Sequence, residues 1–390
     1  MPGTIGPLLP SDERFDHQIV DTFASVAQTD LAWAEKVCGM ACAKDGSLQI
    51  GFGFGKYTNR NVMDGYGGIS RGVEQRTVRA SRRLSPDPER MRIGPLRYEV
   101  LEPLRRVRVT LEPTAVQPIA FELVFEGAVP CFLEEREDWR VPHGYRRQAH
   151  QIRYHQTGTG SGWVEVEGQR TAITPDAWVS TRDHSWGVRP DVGLAPADLE
   201  HGDRPPNLSV LAIWSPVLMQ RPDGTRYAIH HYLRRIEIPG VYRDERFQGG
   251  IEHSDGRKEL FRALEPEIRF HPLNRRFQGG RFLFTMADGK PPRPMHVEVV
   301  SETGFHLGTG LYHGFGGWHH GSFRGDLHVD GECVPDCSER ESAERVHQIR
   351  DCVIRVEDPV GSGEGVGNCQ TVAVGAWPGY GLPTAADSFL

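Results

Sequence analysis

Along much of the chain, apolar and polar side chains alternate with a period of two. Val107, Val109 and Leu111 alternate with Arg106, Arg108 and Thr110, and Phe121, Leu123 and Phe125 repeat the pattern up to Gly127. This period puts one row of side chains on a dry face and the next on a wet one, as in a half-buried strand. Trp163 to Glu167 does the same and turns at Gly168, and Tyr227 to Ile238 reads as a long strand after the Pro222-Asp223-Gly224 turn. Gly51-Phe52-Gly53-Phe54-Gly55 also reads as strand. Helical spacing is scarce. Its candidates are Asp21 to Cys42, with Phe23, Val26, Leu31 and Ala34 on one face, and Ser338 to Arg345.

The 45 glycines and 28 prolines are spread along the chain and not gathered into one linker, which fits an all-β protein of many short strands. No short-period repeat of solenoid or propeller type is present. At 390 residues the chain is too long for one small barrel, so two tandem antiparallel barrels or sandwiches are expected. The expected divisions are a lead-in with a short helix over 1–45, a first β domain over 46–172, a second over 173–375 and a loose tail over 376–390. The boundary falls near Gln169 to Pro175.

Lys plus Arg number 45 against 52 Asp plus Glu, a net charge of −7, which argues against a nucleic-acid partner. No apolar run reaches the ~20 residues of a membrane-spanning helix, and Met1 to His17 lacks the basic start and apolar middle of a secretory signal. The seven cysteines are odd in number and irregularly spaced, which suits a reducing compartment. A cytoplasmic location is the expectation, and a homodimer is left open.

The densest chemistry lies in Thr181-Arg182-Asp183-His184-Ser185-Trp186-Gly187-Val188-Arg189. In an extended strand, Asp183, Ser185 and Gly187 face one way, and Arg182, His184, Trp186 and Val188 the other. Asp183 would serve as a general acid if an apolar cavity raised its pKa, with His184 positioning a water and Trp186 facing a developing cation. The structural alternative is a tryptophan and an arginine plugging one end of a barrel. Tyr154-His155-Gln156-Thr157-Gly158 reads as a strand entering a glycine-rich turn, and Tyr154 is a candidate cavity residue. Lys56 to Gly72 reads as a polar loop, either a plain turn or a lid carrying Asp64. Arg182, Arg189, Trp214 and His231 complete the candidate substrate contacts.

His230 and His231 are adjacent in a strand and so cannot ligate one metal together. Tyr312-His313, Trp318-His319-His320, Cys333 and Cys337 match no established zinc spacing, and no metal is expected. Dinucleotide, P-loop, GxSxG and HExxH signatures are missing. The remaining classes are a cofactor-free enzyme and a binder of an apolar ligand.

Asp183-His184-Ser185-Trp186-Gly187 resembles the DHxWG-type element of the superfamily that includes hydroxyneurosporene synthase (carotenoid 1,2-hydratase) and kievitone hydratase. Plant tocopherol cyclase is a more distant relative. Tyr154-x-Gln156-x-Gly158-x3-Gly162 and Lys56 to Gly72 are similar to segments of its uncharacterised branch, and the likeness spans roughly residues 45 to 350. The resemblance implies tandem lipocalin-like barrels and chemistry on isoprenoid or other apolar substrates without an organic cofactor. Such enzymes protonate an alkene and let water or a hydroxyl capture the cation. Their functional His-x-Trp pair maps onto His184 and Trp186. Their downstream Tyr-x-Asp pair has no counterpart, since Val210 to Trp214 reads VLAIW, and Asp183 takes the role of proton donor on chemical grounds. Three readings follow: a hydratase or cyclase acting as a lyase or isomerase, a carrier that leaves its ligand unchanged, and a cyclase whose cavity only holds a reactive conformer.

Overall fold

The computed structural model describes residues 8–17, 28–85, 91–140, 146–200, 207–346 and 349–384. Its regular structure is almost all antiparallel strand, in two sheets that each curl into a barrel, as the alternating pattern requires. The first sheet runs from Glu74–Arg83 through Val62–Arg71, Gln49–Tyr57, Trp33–Ala43, Trp178–Val188, Arg147–Val166, Ile119–Gly127 and Arg106–Leu111 to Leu96–Glu102 and Arg92–Ile93. Its far end returns onto its start, where Arg82 Nε donates to the Arg92 carbonyl at 2.7 Å. Phe52, Phe54, Val107, Val109, Leu111, Phe121, Leu123 and Phe125 fill the interior.

The second barrel is a closed ring of eight strands: Ser209–Gln220, Arg226–Ile238, Tyr242–His253, Lys258–Phe270, Phe277–Met286, Arg293–Val299, Arg350–Asp358 and Gly363–Val374. Between Val299 and Arg350 the chain leaves this ring and lays Leu327–Val334 along the Glu74–Arg83 edge of the first sheet. A short helix, Arg340–Arg345, forms inside the segment where one was expected. No helix among the described residues is long and apolar enough to cross a membrane.

Several expectations are corrected. In the described part of Asp21 to Cys42, residues Trp33–Ala43 form a strand and not a helix; Phe23 and Val26 lie outside the described residues. The Ala34 to Ala43 run is buried on both faces, so the alternation that marks a half-exposed strand is missing from its sequence. The expected lead-in therefore supplies a central strand. The expected boundary at Gln169 to Pro175 falls inside the first sheet, because Gln169–Ile173 pairs with Arg147–Val166 and the following Trp178–Val188 is a central strand. The expected tail is also partly core: Trp377 and Leu382 are buried in the second barrel, and Trp377 Nε1 donates to the Val374 carbonyl at 3.0 Å. Residues 385–390 lie outside the described residues.

Lys56 to Gly72 is no loop, since Val62–Arg71 is a strand. Its glycines and those of Gly51 to Gly55 have a steric cause. Phe52 and Phe54 point into the first barrel, and the opposite face of the sheet is covered by aromatic rings. A Cβ on Gly53 would stand 2.5 Å from the Tyr66 ring, and one on Gly51 would stand 2.7 Å from the Phe305 ring. Both rings are buried and have little room to move. Gly53→Ala should therefore lower unfolding free energy by about 1–3 kcal/mol in a urea titration; an unchanged midpoint would show that the rings yield freely.

Candidate functional site

Trp178–Val188 pairs without interruption with Trp33–Ala43 on one side and with Arg147–Val166 on the other through residues 183 to 186. With no bulge, neighbouring side chains must leave on opposite faces. Arg182, His184 and Trp186 enter the first barrel, whereas Asp183 and Ser185 face the second. The chemistry clustered in the sequence is divided between two sites.

Inside the first barrel, residues 12–17 lie against Arg182, His184 and Trp186 as a plug. Arg182 forms a bidentate pair with Glu13, Nη1 to Oε1 at 2.5 Å and Nη2 to Oε2 at 2.9 Å. Its Nη1 also donates to Tyr98 at 3.1 Å, and its Nε and Nη2 donate to Gln156 Oε1 at 3.2 and 2.9 Å. Tyr154 Oη donates to Glu13 Oε1 at 2.8 Å and lies 3.1 Å from His184 Nδ1. His184 Nε2 is 3.1 Å from Glu35 Oε1, which also bonds His17 Nδ1. The His17 ring stacks on Trp186 at 3.7 Å between centroids. Burial pushes the Glu13 carboxyl up, but Arg182 outweighs it and holds the group below its ordinary value of 4.5. Burial likewise opposes Glu35, which His17 and His184 bring down to about 2. Tyr154 and Arg182, expected substrate contacts, are thus internal partners of the plug, as are His184 and Trp186.

The other face of the same wall borders a cavity of about 510 Å³ between the barrels. Lys36, Arg153, Arg189, Tyr312 and His320 line it with an apolar group made of Val210, Ala212, Trp214, Ile236 and Val372. Lys36 is buried and its Nζ has no hydrogen-bond partner; it lies 4.2 Å from the centre of the Tyr312 ring. Burial, reinforced by the Arg189 cation, brings the amine down to about 7. Asp183 keeps partial exposure beside these residues, in register with Cys38. Burial raises its carboxyl against the pull of Arg153, Arg189 and Lys36, with Glu134 adding to the rise.

Arg189 and Trp214 line the cavity, as expected of substrate contacts. Asp64 stands behind it, accepting from Tyr57 Oη at 2.9 Å and from the Gly321 N–H at 2.7 Å, with His320 Nδ1 at 3.6 Å. His231 belongs to neither site. Its ring packs on Phe282 and Phe284 inside the second barrel, at 4.6 and 5.2 Å between centroids, and burial brings its imidazole down to about 3.

Glu134 fastens the barrels together beside the cavity. It accepts from Arg153 Nε at 2.9 Å, Gln248 Nε2 at 3.1 Å and Trp214 Nε1 at 3.2 Å, and lies 2.9 Å from His155 Nδ1. His155 Nε2 reaches Glu252 at 2.7 Å, and the His155 ring stacks on His230 at 3.5 Å between centroids. Burial lowers the His155 imidazole, but Glu252 and Glu134 lift it to about 9. Glu134, His155 and His230 bring three ligand-type atoms within 4.8 Å of one another, as do His17, Glu35 and His184. The ring nitrogens of His17, His184 and His155 already face carboxylates or a tyrosine hydroxyl, whereas both nitrogens of His230 lack a hydrogen-bond partner, with Nε2 3.5 Å from Glu134. Among the described residues no such grouping includes Cys333 or Cys337.

Sequence reasoning missed Lys36, Glu134 and Asp351, and weighed Tyr312 and His320 only for zinc. Only Lys36 left a signal, a lone cation leading into the apolar run Val37 to Ala43. Asp351 is buried, accepts from Asn368 at 2.8 Å and Gln370 at 3.0 Å, and is pushed up by burial to about 8.

Glu13→Gln leaves a buried guanidinium without its counter-charge, so unfolding free energy should fall by about 3–5 kcal/mol near pH 7. Because Glu13 is held below its ordinary 4.5, its contribution is complete above that pH and is lost as pH falls through the folded value. The gap between variant and wild type in urea titrations should narrow only below about pH 4.5. Asp351 has the opposite sign: the folded state holds its proton up to about pH 8, so its contribution declines as pH rises from 3.8 to about 8. Asp351→Asn should therefore gain on wild type with rising pH; parallel stability curves would show that this carboxyl titrates normally.

Comparison with solved structures finds the same fold in an AttH protein from Nitrosomonas europaea, at a TM-score of 0.50 and 13% identity, over 89% of this chain and 92% of that one. Kievitone hydratase from Nectria haematococca matches at a TM-score of 0.42 and 10% identity, over 92% of this chain and 94% of that one. CghA matches at 0.44 and 12%, over 89% and 90%. Among curated proteins none matches the sequence. The family of unknown function DUF8625 matches residues 10–383, and the chain belongs to that family.

Proposed function

We propose that the chain is a cofactor-independent lyase or isomerase of hydratase or cyclase type. Its substrate is an apolar molecule of isoprenoid, terpenoid or steroid-like character, bound in the cavity between the barrels. The observation that carries this reading is Asp183: a carboxyl raised by burial and close to Lys36, Arg153 and Arg189, which line a cavity with an extensive apolar surface. A carboxyl raised above its ordinary range holds its proton more firmly, the direction in which alkene protonation by an acid is served. Asp183 gives its proton to one alkene carbon, water or an internal hydroxyl bonds to the other, and the proton released returns to Asp183. The Trp214 indole offers a ring face to the hydrocarbon, while Arg189 and Lys36 suit an oxygen-bearing part of the substrate. His184 and Trp186 act from behind the wall as positioning residues.

One observation favours a carrier instead. The strand that would hold the downstream Tyr-x-Asp pair presents Val210, Ala212 and Trp214 to the cavity. Native mass spectrometry followed by denaturing extraction separates the two readings: an alkene recovered beside its hydrated or cyclised product supports the enzyme, and one unaltered ligand at full occupancy supports the carrier. With the substrate so identified, Asp183→Asn should lose about 10²-fold or more in turnover while keeping its urea midpoint. Wild-type turnover should fall as pH rises through the Asp183 carboxyl. Full turnover by Asp183→Asn would remove the assignment.

A further inference from the structure

Five of the 45 basic residues are lysines, and one of these five, Lys36, is buried at the cavity between the barrels. Two of the buried arginines elsewhere are paired with carboxylates, Arg182 with Glu13 and Arg293 with Asp358 through Nε at 2.9 Å. Lys36 Nζ has no such partner. A buried ammonium without a counter-ion costs several kcal/mol, so an amine in this position is favoured as the neutral base. Neutral lysine in a dry pocket beside another cation is an activated nucleophile.

We propose that Lys36 is the nucleophile of a carbonyl-binding site, its Nζ attacking an aldehyde or ketone carbon of a molecule held between the barrels and forming an imine. The neutral amine bonds to the carbonyl carbon while the C=O π pair moves to oxygen. Transfer of one N–H proton to that oxygen gives the carbinolamine. Asp183, across the strand pair from Lys36 and in register with Cys38, supplies the proton with which the hydroxyl leaves as water. A protonated imine and an Asp183 carboxylate remain, and addition of water reverses every step. No electron transfer is involved. The Tyr312 ring, 4.2 Å from Nζ, lines the same cavity.

The groups that set the charge on Lys36 are Arg189, which opposes protonation, and Asp64, Cys38 and Asp183, which favour it. Together with burial they bring the amine to about 7 instead of 10.5. At pH 7 about half of Lys36 is then neutral, against less than about 0.1% of an ordinary lysine. Lower basicity takes back part of the gain in nucleophilicity.

The test is reductive trapping of the full chain with benzaldehyde and sodium cyanoborohydride, read by peptide mass mapping at a series of pH values. Lys36 should gain a benzyl group about tenfold or more faster than the exposed Lys290 at pH 7, along a curve with its midpoint near 7. Arg189→Met should move that midpoint upward, and Asp183→Asn should slow trapping at Lys36 without changing Lys290. Lys36 unmodified when Lys290 is fully labelled, or labelled along the curve of an ordinary lysine, would overturn the proposal. Should a variant fail to fold, the wild-type comparison of Lys36 with Lys290 decides alone. Trapping requires no alkene turnover, so its failure leaves the hydratase or cyclase reading standing, and the reverse also holds.

Discussion

The structure depends on a wall, the paired strands Trp33–Ala43 and Trp178–Val188, that is buried on both faces. A strand sends successive side chains to opposite faces, and here both faces pack against protein. Each residue is therefore assigned by its parity to one of two interiors. Val37, Ala41, Arg182, His184 and Trp186 serve the first barrel, whereas Cys38, Met40 and Asp183 serve the junction. Cys42 and Val179 pack directly on Leu218, Val353 and Val366 of the second barrel. A one-residue slip would put the Arg182 guanidinium at the junction and Asp183 against the plug.

Charge compensation separates the two faces of that wall. In the first barrel the guanidinium, carboxylates and imidazoles neutralise one another within hydrogen-bond distance, and the plug closes over them. Such a network fixes geometry and leaves little for a ligand to satisfy. Across the wall, Lys36 Nζ has no hydrogen-bond partner at the cavity, and burial raises the nearby Asp183 carboxyl. Unbalanced polar groups beside a cavity are the ones a bound molecule completes. The contrast depends on which partners each buried charge finds, since buried charges are present on both faces.

The legible parts of the sequence were the half-exposed strands. Val107 to Leu111 and Phe121 to Phe125 advertise their faces because one face is wet. Trp33–Ala43 and Val62–Arg71 did not, because polarity carries no alternation where both faces are dry. Parity correctly separated Asp183 from His184. What lay beyond reach was the location of the interior each would enter. That depends on Glu13 and His17, more than a hundred residues earlier in the chain, and on Tyr312 and His320, more than a hundred later. The Lys56 to Gly72 glycines looked like a turn, whereas a Cβ on Gly67 would meet the Phe121 ring at 3.1 Å and one on Gly68 the Phe305 ring at 3.0 Å.

The exchange of Leu327–Val334 into the first sheet also constrains the order of events at the ribosome. Synthesis runs from the N-terminus, so the Glu74–Arg83 edge exists well before its covering strand does. Throughout that interval the nascent first barrel presents an open row of backbone donors and acceptors, a template for other extended chains. Val329 and Asp330, facing Ala80 and Arg79, are synthesised in the middle of the second barrel, six of its ring strands having already emerged. The first sheet is complete once Val334 has been made, before Arg350–Asp358 and Gly363–Val374 close the second ring. A gene truncated between the two sheets would encode a fragment with the Glu74–Arg83 edge exposed and prone to aggregation.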